Sequence, residues 1–556
     1  MARFQRFLSS VPPWVWLVIG FVIMCSAYEY GRVLWHRPFP HHLSRQTTCL
    51  SITYNIYKGE ATIFEPSVHN YFGDHQTSGQ SAGEFPGLYW FIAGIWKLTG
   101  PSEFVYRLVM LLLHFGGTLA LFLCARKLLK HSAWAVLVAL LFFASPVMAY
   151  FSIGFITDVP SFDLVLIGLW AMFRNSPEQR KADVIIAAIL FTLAGLLKIT
   201  ALMAPMVLFA WAIAEWTMPR WSVRGQPLVR QRWTVISSFV LAFAIVGAWY
   251  KYSIMYDDLH SASYSYQGTW AVWDISAAEV RSSWDFGRRI LVYQLFDTPV
   301  WAVFGAMVIY LLWNARHAAR ALGAITLMLA AGTVLYILLW WVTLDSHDYY
   351  YINPLITLIA LTFTFFHALR KRHPAFYGSY WSLAGFTLLV AYSTLYTANN
   401  HEMRTRGNSP LRAEKLLPLY HDGEIVYWDL SQYWDMRDML DIEPYNRSLG
   451  IGPDDMVINL EDRTVCAALY LMGQRGWVQF GQAFASAEEV QGLIDKGASY
   501  LFVTSPEWLE KPYMQPFYQN PMGAHRSIRV FDLRPFQKPG WQPPRPWGRM
   551  AAGASG

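Results

Sequence analysis

The feature that most constrains this chain is a succession of apolar runs, each long enough to cross a bilayer as a helix. They lie at roughly 13–30, 104–125, 132–151, 158–174, 182–198, 200–216, 233–251, 296–313, 320–343, 352–369 and 377–396. A spanning helix needs about 20 predominantly apolar residues. With lipid as solvent the backbone must satisfy itself within each segment. The runs therefore predict an α-helical polytopic membrane protein of about eleven transmembrane helices. Composition agrees. Only 15% of the 556 residues are charged and mean hydropathy is +0.25, whereas soluble domains carry about a quarter charged residues. The 26 Trp and 31 Tyr suit many helix ends at the bilayer interface.

The connections set the orientation. Arg3 and Arg6 precede the first run, and every second connection is basic: Arg126, Lys127 and Lys130; Arg174, Arg180 and Lys181; Arg220, Arg224, Arg230 and Arg232; Arg316 and Arg320; Arg370, Lys371 and Arg372. The alternate short connections, Gly154–Asp158 and Asp345–Asn353, contain no Lys or Arg. The positive-inside rule places the N-terminus in the cytoplasm and the C-terminal region outside a bacterial cytoplasmic (inner) membrane. The first run, Trp14–Ala27, lacks a small-residue cleavage site and reads as a retained signal anchor. The net charge of +6 is topogenic in this pattern and gives no nucleic-acid surface.

Three outward regions are long enough to carry function. The expected organisation is a transmembrane domain over 1–397 that includes outward loops 31–102 and 252–292, a soluble α/β domain over 398–537, and a disordered Pro- and Gly-rich tail over 538–556. Within the first loop, Gly87–Leu98 is apolar but too short to span, and is expected on the outer interface. In the soluble domain, strand-like runs occur at Glu424–Trp428, Met456–Leu460, Tyr500–Thr504 and Ile528–Leu533, and Thr464–Gln474 reads as a helix. Ser486-Ala487-Glu488-Glu489 is a capping box, with Gly497 beyond the helix it starts. Cys49 and Cys466 both face outward, but nothing in their spacing pairs them.

Ionisable residues at membrane depth are costly and default to functional hypotheses. Asp158 opens the fourth run, Lys198 closes the fifth, and His347 and Asp348 precede Tyr349, Tyr350 and Tyr351 at the tenth. Topology brings them all to the outer face. Each also has a structural role open to it: helix capping for the acids, snorkelling for Lys198, an interfacial belt for the tyrosines. Arg107 and Asp163 read as structural partners of neighbouring helices. The first loop adds His42, Arg45 and Glu84. Arg45 offers a planar fork for phosphate oxygens, and Glu84, next to the interfacial segment, suits a general base, or else pairs with a surface cation.

These residues carry a resemblance. His42-Leu43-Ser44-Arg45-Gln46-Thr47, Asn55-Ile56-Tyr57, Glu84-Phe85-Pro86-Gly87-Leu88-Tyr89, Arg107-Leu108, Asp158-Val159-Pro160, Lys198-Ile199-Thr200 and His347-Asp348-Tyr349-Tyr350 resemble the GT-C superfamily of integral-membrane glycosyltransferases. The likeness is to bacterial relatives of protein O-mannosyltransferases and lipid A aminoarabinose transferases. It implies a GT-C-like fold and transfer of a sugar from a polyprenyl-phosphate carrier to a glycan, lipid or protein acceptor outside the cytoplasm. It implies Glu84 or Asp158 as base, Lys198 and Arg45 on the donor phosphate, and His42, His347, Asp348 and Tyr349 around the substrates. A divalent metal ion is the one cofactor it leaves open, since some relatives need one; no ligand spacing here assigns it. The subgroup resembles Arg-Gln-Thr-Asp-Thr in the first loop, where this chain has Arg45-Gln46-Thr47-Thr48-Cys49, so the usual acid is absent. Two other readings remain: a lipid-binding or transport protein without chemistry, and a catalytically inactive relative. The lack of an internal repeat weighs against transport.

Overall fold

The computed structural model describes residues 11–38, 41–218, 228–262, 269–345, 347–406, 436–482 and 484–538. Each of the eleven apolar runs is helical. Six helices combine the length and hydropathy of a membrane span: Glu103–Leu129, Ile199–Thr217, Arg232–Leu259, Thr298–His317, Arg320–Leu339 and Asp348–Arg372. The helices at the other five runs are shorter or mixed. Pro13–Ala27, Asp158–Phe173 and Lys181–Leu197 have 15, 16 and 17 residues. The run at 132–151 divides into Ser132–Phe143 and Pro146–Phe151, because Pro146 can start a helix but cannot continue one. Tyr380–Arg406 ends in the polar stretch Asn399–Arg406. The expected Gly87–Leu98 segment is a separate helix, Gly87–Thr99.

The chain forms two compact units. The first comprises Met1–Trp35, Arg107–Ala248 and Gly268–Val426, the second His36–Tyr106, Trp249–Gln267 and Tyr427–Gly556. This division differs from a boundary at 397: the first outward loop falls in the unit of the C-terminal region.

In the first unit, Asp158–Phe173 and Lys181–Leu197 pack closely as a hairpin. Gly168 permits this approach, since a Cβ there would lie 2.6 Å from the Phe191 ring. His114 and Asp163 pair at 3.0 Å across neighbouring helices, and Gly117 leaves room for that carboxylate. Arg107 donates to the Ile153 carbonyl at 2.7 Å and lies over the Phe155 ring.

The second unit holds a five-stranded mixed sheet of β1 (Met456–Leu460), β2 (Arg475–Trp477), β3 (Ala498–Val503), β4 (Pro521–His525) and β5 (Ile528–Asp532), in the order β2-β1-β3-β5-β4. β1 pairs in parallel with β2 and β3; β5 pairs antiparallel with β3 and β4. The expected strands at 456–460, 500–504 and 528–533 appear here, and Glu424–Trp428 and 539–556 lie outside the described residues. Ser486 caps the helix Ala487–Asp495 by accepting from the Glu489 N–H, while Glu489 reaches back to the Ala485 N–H. The expected Thr464–Gln474 helix is shorter, Ala467–Met472, because the Asp462 carboxylate fixes its entry by accepting from the Thr464 and Ala468 N–H groups.

The first loop completes this sheet. The Gly476 N–H donates to the His69 carbonyl at 3.2 Å, and the Tyr71 N–H to the Gly476 carbonyl at 2.7 Å, so residues around Asn70 run parallel to β2 along its free edge. Arg475 pairs with Glu60 and donates to Asn55 Oδ1. Gly476 is obligatory here: its φ is +142°, and a Cβ would stand 1.9 Å from the Val457 carbonyl oxygen. Gly476→Ala is expected to cost at least about 2 kcal/mol through backbone displacement and strain. Thermal unfolding of the purified protein, followed by tryptophan fluorescence, would show a lower transition temperature.

Candidate active site

In the first unit, the polar groups gather where helices break. Lys198 has extended backbone between the helices Lys181–Leu197 and Met203–Thr217, and Asp158 is the first residue of its helix. The two pair at 3.2 Å, with side chains 7% and 0% exposed. An ammonium this deeply buried needs more than one counterpart. It has two rings as well, lying 4.4 Å from the centroid of Tyr350 and 5.4 Å from that of Tyr349. Asn353 braces the site by donating to Thr200 and Ser161.

Asp348 belongs to a neighbouring pair. Arg404, in the last long helix, meets its carboxylate at 3.0 Å, also donates to Gln294, and lies over the Tyr150 ring. His347 stacks on Tyr350, 5.0 Å between centroids at 16°. The structure thus brings Asp158, Lys198, Tyr349 and His347 together around Tyr350, and gives Asp348 a partner that sequence reasoning missed. The signal for Arg404 was an arginine within the polar stretch after the last apolar run; that for Tyr350 was its place in the tyrosine triplet.

In the second unit, the helix Leu43–Lys58 starts after His42, whose φ of +55° turns the chain and whose ring packs on His41. Arg45, one turn on, forms an ion pair with Glu84, both largely buried. The Glu84 segment is fastened on either side: the Trp249 indole donates to the Gly83 carbonyl, the Phe85 ring meets Trp249 edge-on, and the Ala82 N–H donates to Asp257. Two residues to which sequence reasoning gave separate roles are therefore direct partners. Thr48 donates to the Ser44 carbonyl at 2.7 Å, so its hydroxyl proton is committed to its own helix. Cys49 and Cys466 are not joined in a disulfide; Cys49 accepts from the Tyr89 hydroxyl, and burial pushes the Cys466 thiol up to about 12.

Two buried groups of this unit titrate in opposite directions. Burial raises Asp462 to about 6, against the hydrogen bonds it accepts. Burial lowers His69 to about 4; its Nδ1 faces the Ser51 hydroxyl at 2.5 Å. Between pH 4 and 6 the folded state holds a proton on Asp462 that the unfolded chain releases, so this contribution falls as pH rises. His69 does the reverse, because the unfolded chain binds the proton that the folded state refuses. Chemical denaturation across that range is expected to show stability falling with pH in His69→Gln and rising with pH in Asp462→Asn, each by up to about 3 kcal/mol.

Residues 83–250 match the family model described as dolichyl-phosphate-mannose-protein mannosyltransferase. Among solved structures, the chain is similar to ArnT from Cupriavidus metallidurans bound to undecaprenyl phosphate. Identity is 12% and the TM-score 0.56, over 94% of this chain and 99% of that one. The apo state of the same protein matches at 14% identity, again with a TM-score of 0.56 over 94% and 99%. No curated protein sequence matches. The chain therefore has an ArnT-like fold throughout, in a multi-pass helical membrane protein with a small C-terminal sheet domain.

Proposed function

We propose that this chain is a membrane glycosyltransferase of the GT-C superfamily, a reading supported by the family match over residues 83–250 and by the ArnT-like fold, and that it transfers a sugar from a polyprenyl-phosphate carrier to a hydroxyl-bearing acceptor on the outer face of the membrane. The observation that carries this reading is the buried Lys198–Asp158 pair, set beside Tyr349 and Tyr350 at a helix break. The similar Cupriavidus protein binds undecaprenyl phosphate, and a long-chain phosphate is what a desolvated cation with aromatic flanks suits.

The acceptor oxygen attacks the anomeric carbon as the bond from that carbon to the carrier phosphate breaks. The electron pair passes to the phosphate oxygen, and the acceptor's proton to a carboxylate. A single displacement inverts the anomeric centre. Lys198 stabilises the charge growing on the departing phosphate. When the phosphate draws Lys198 toward itself, the Asp158 carboxylate is released to accept the proton. Glu84 is the other candidate base, with Arg45 as its cation. His42, His347, Asp348 and Tyr349 contact sugar or acceptor, and Arg404 holds the Asp348 carboxylate in place. The basic connections lie on the cytoplasmic side.

One observation favours an inactive relative: Thr48 is tied to its own helix, and Glu84 is engaged by Arg45. Sugar transfer by purified protein in lipid nanodiscs separates the readings. The base variant, Asp158→Asn or Glu84→Gln, is expected to lower kcat by about 100-fold or more at nearly unchanged donor KM. Lys198→Met is expected to raise donor KM as well. Near-normal rates in both acid variants would overturn the base assignment. Carrier binding without turnover by the wild-type protein would favour the inactive relative.

A further inference from the structure

The first unit also contains an apolar cavity of about 470 Å³ that runs from the far ends of its helices up to Ala204 and Ile356, on the side of Lys198 and Asp158. Along Ile356–Arg372 it runs from Ile356 to His367, eleven residues or about 16 Å at the rise of an α-helix. That depth is one leaflet, half of a hydrocarbon core about 30 Å thick. It is lined by Phe173 at the far end of the helix that Asp158 begins, about 22 Å away by the same rise.

Its polar lining is confined to the basic end. There it meets Lys127, Ser176, Arg230 and His367, with aliphatic and aromatic side chains beyond, and no acid contributes to the lining. The Lys127 ammonium is pinned at this mouth by the carbonyls of Arg174 and Ser176, at 2.8 and 3.0 Å. An ammonium has three donors, so one proton remains for a ligand. His367 is held at the same end by the 315–319 connection: its Nδ1 accepts from the Ala319 N–H, and the ring also bonds the His317 backbone.

We propose that this cavity binds one anionic phospholipid from the leaflet next to the basic connections. One acyl chain fills the apolar depth, and the phosphate sits at Lys127, Arg230 and His367. A leaflet-deep apolar slot with donors only at its mouth matches a lipid end to end, whereas a soluble anion would leave the slot unfilled. Basic pockets between spanning helices on the cytoplasmic side suit anionic head groups. The basic end of this cavity is remote from Lys198 and Asp158, and binding there needs no transferase activity to be tested.

Native mass spectrometry of the protein released from nanodiscs of mixed phosphatidylglycerol and phosphatidylcholine would read the bound lipid directly. Phosphatidylglycerol is expected to be retained about tenfold over phosphatidylcholine. The preference disappears in the double variant Lys127→Gln with Arg230→Gln, and survives in Lys127→Arg and in Arg230→Lys. Ala360→Phe, which fills the slot, reduces retention of both lipids. Equal retention by the wild-type protein, an unchanged preference in the double glutamine variant, or displacement of phosphatidylglycerol by added undecaprenyl phosphate would each overturn the proposal.

Discussion

A charge held in hydrocarbon must be answered by another charge, and the first unit is arranged around that requirement. Lys198 meets Asp158, Arg404 meets Asp348, and His114 meets Asp163. Each pair joins positions forty or more residues apart, so it ties together helix segments that are distant in sequence. Such pairs are poor devices for stability. Desolvating both partners costs several kcal/mol per ion, and well-packed apolar residues in the same space often do as well or better. His114–Asp163 lies amid ring contacts with Phe21 and Phe143 and has a structural setting. The other two pairs sit where the backbone leaves the helix, and their retention there is better explained by chemistry than by packing.

Helix breaks are what make those places available. Irregular backbone at membrane depth survives only where it is buried in protein or lines a cavity. Lys198 interrupts the chain with extended geometry, and short 3₁₀ turns follow at Trp341–Asp345, Asp348–Tyr351 and Asn353–Leu355. Tyr349 and Tyr350, both in the second of these turns, face the Lys198 ammonium. The Asn353 amide, between Thr200 and Ser161, holds two of the broken segments in register.

The apolar runs, the Ser486 cap and three of the five strands were legible because each is a local pattern in consecutive residues. Asp158, Lys198 and His347 were legible as misplaced polarity. Arg404 was not, because it follows the last apolar run and a cation there looks like the start of a soluble tail. β2 was missed as three residues containing a glycine, and β4 as an exposed strand that starts with proline, the residue an edge tolerates. The joining of the first loop to the sheet had no local signal at all. It depends on backbone hydrogen bonds in which Gly476 donates to His69 and accepts from Tyr71, some four hundred residues away, and backbone groups carry no sequence.

The two candidate bases differ in the cation each is given, and that difference bears on their roles. Arginine has a planar fork with five N–H donors, so Arg45 can hold Glu84 on one edge while another edge meets a phosphate. If Asp158 is the base of the proposed reaction, Glu84 stays paired and serves to aim Arg45. Lysine is a compact point charge. When a phosphate approaches Lys198, its attraction is divided, and the partner carboxylate loses part of what held it. Under the proposed reaction, Asp158 is thus the acid whose readiness to take a proton depends on the donor being present, which avoids abstracting protons idly. With Asp158 in that role, the proposed reaction does not need an acid at position 48, because its base stands on a different helix.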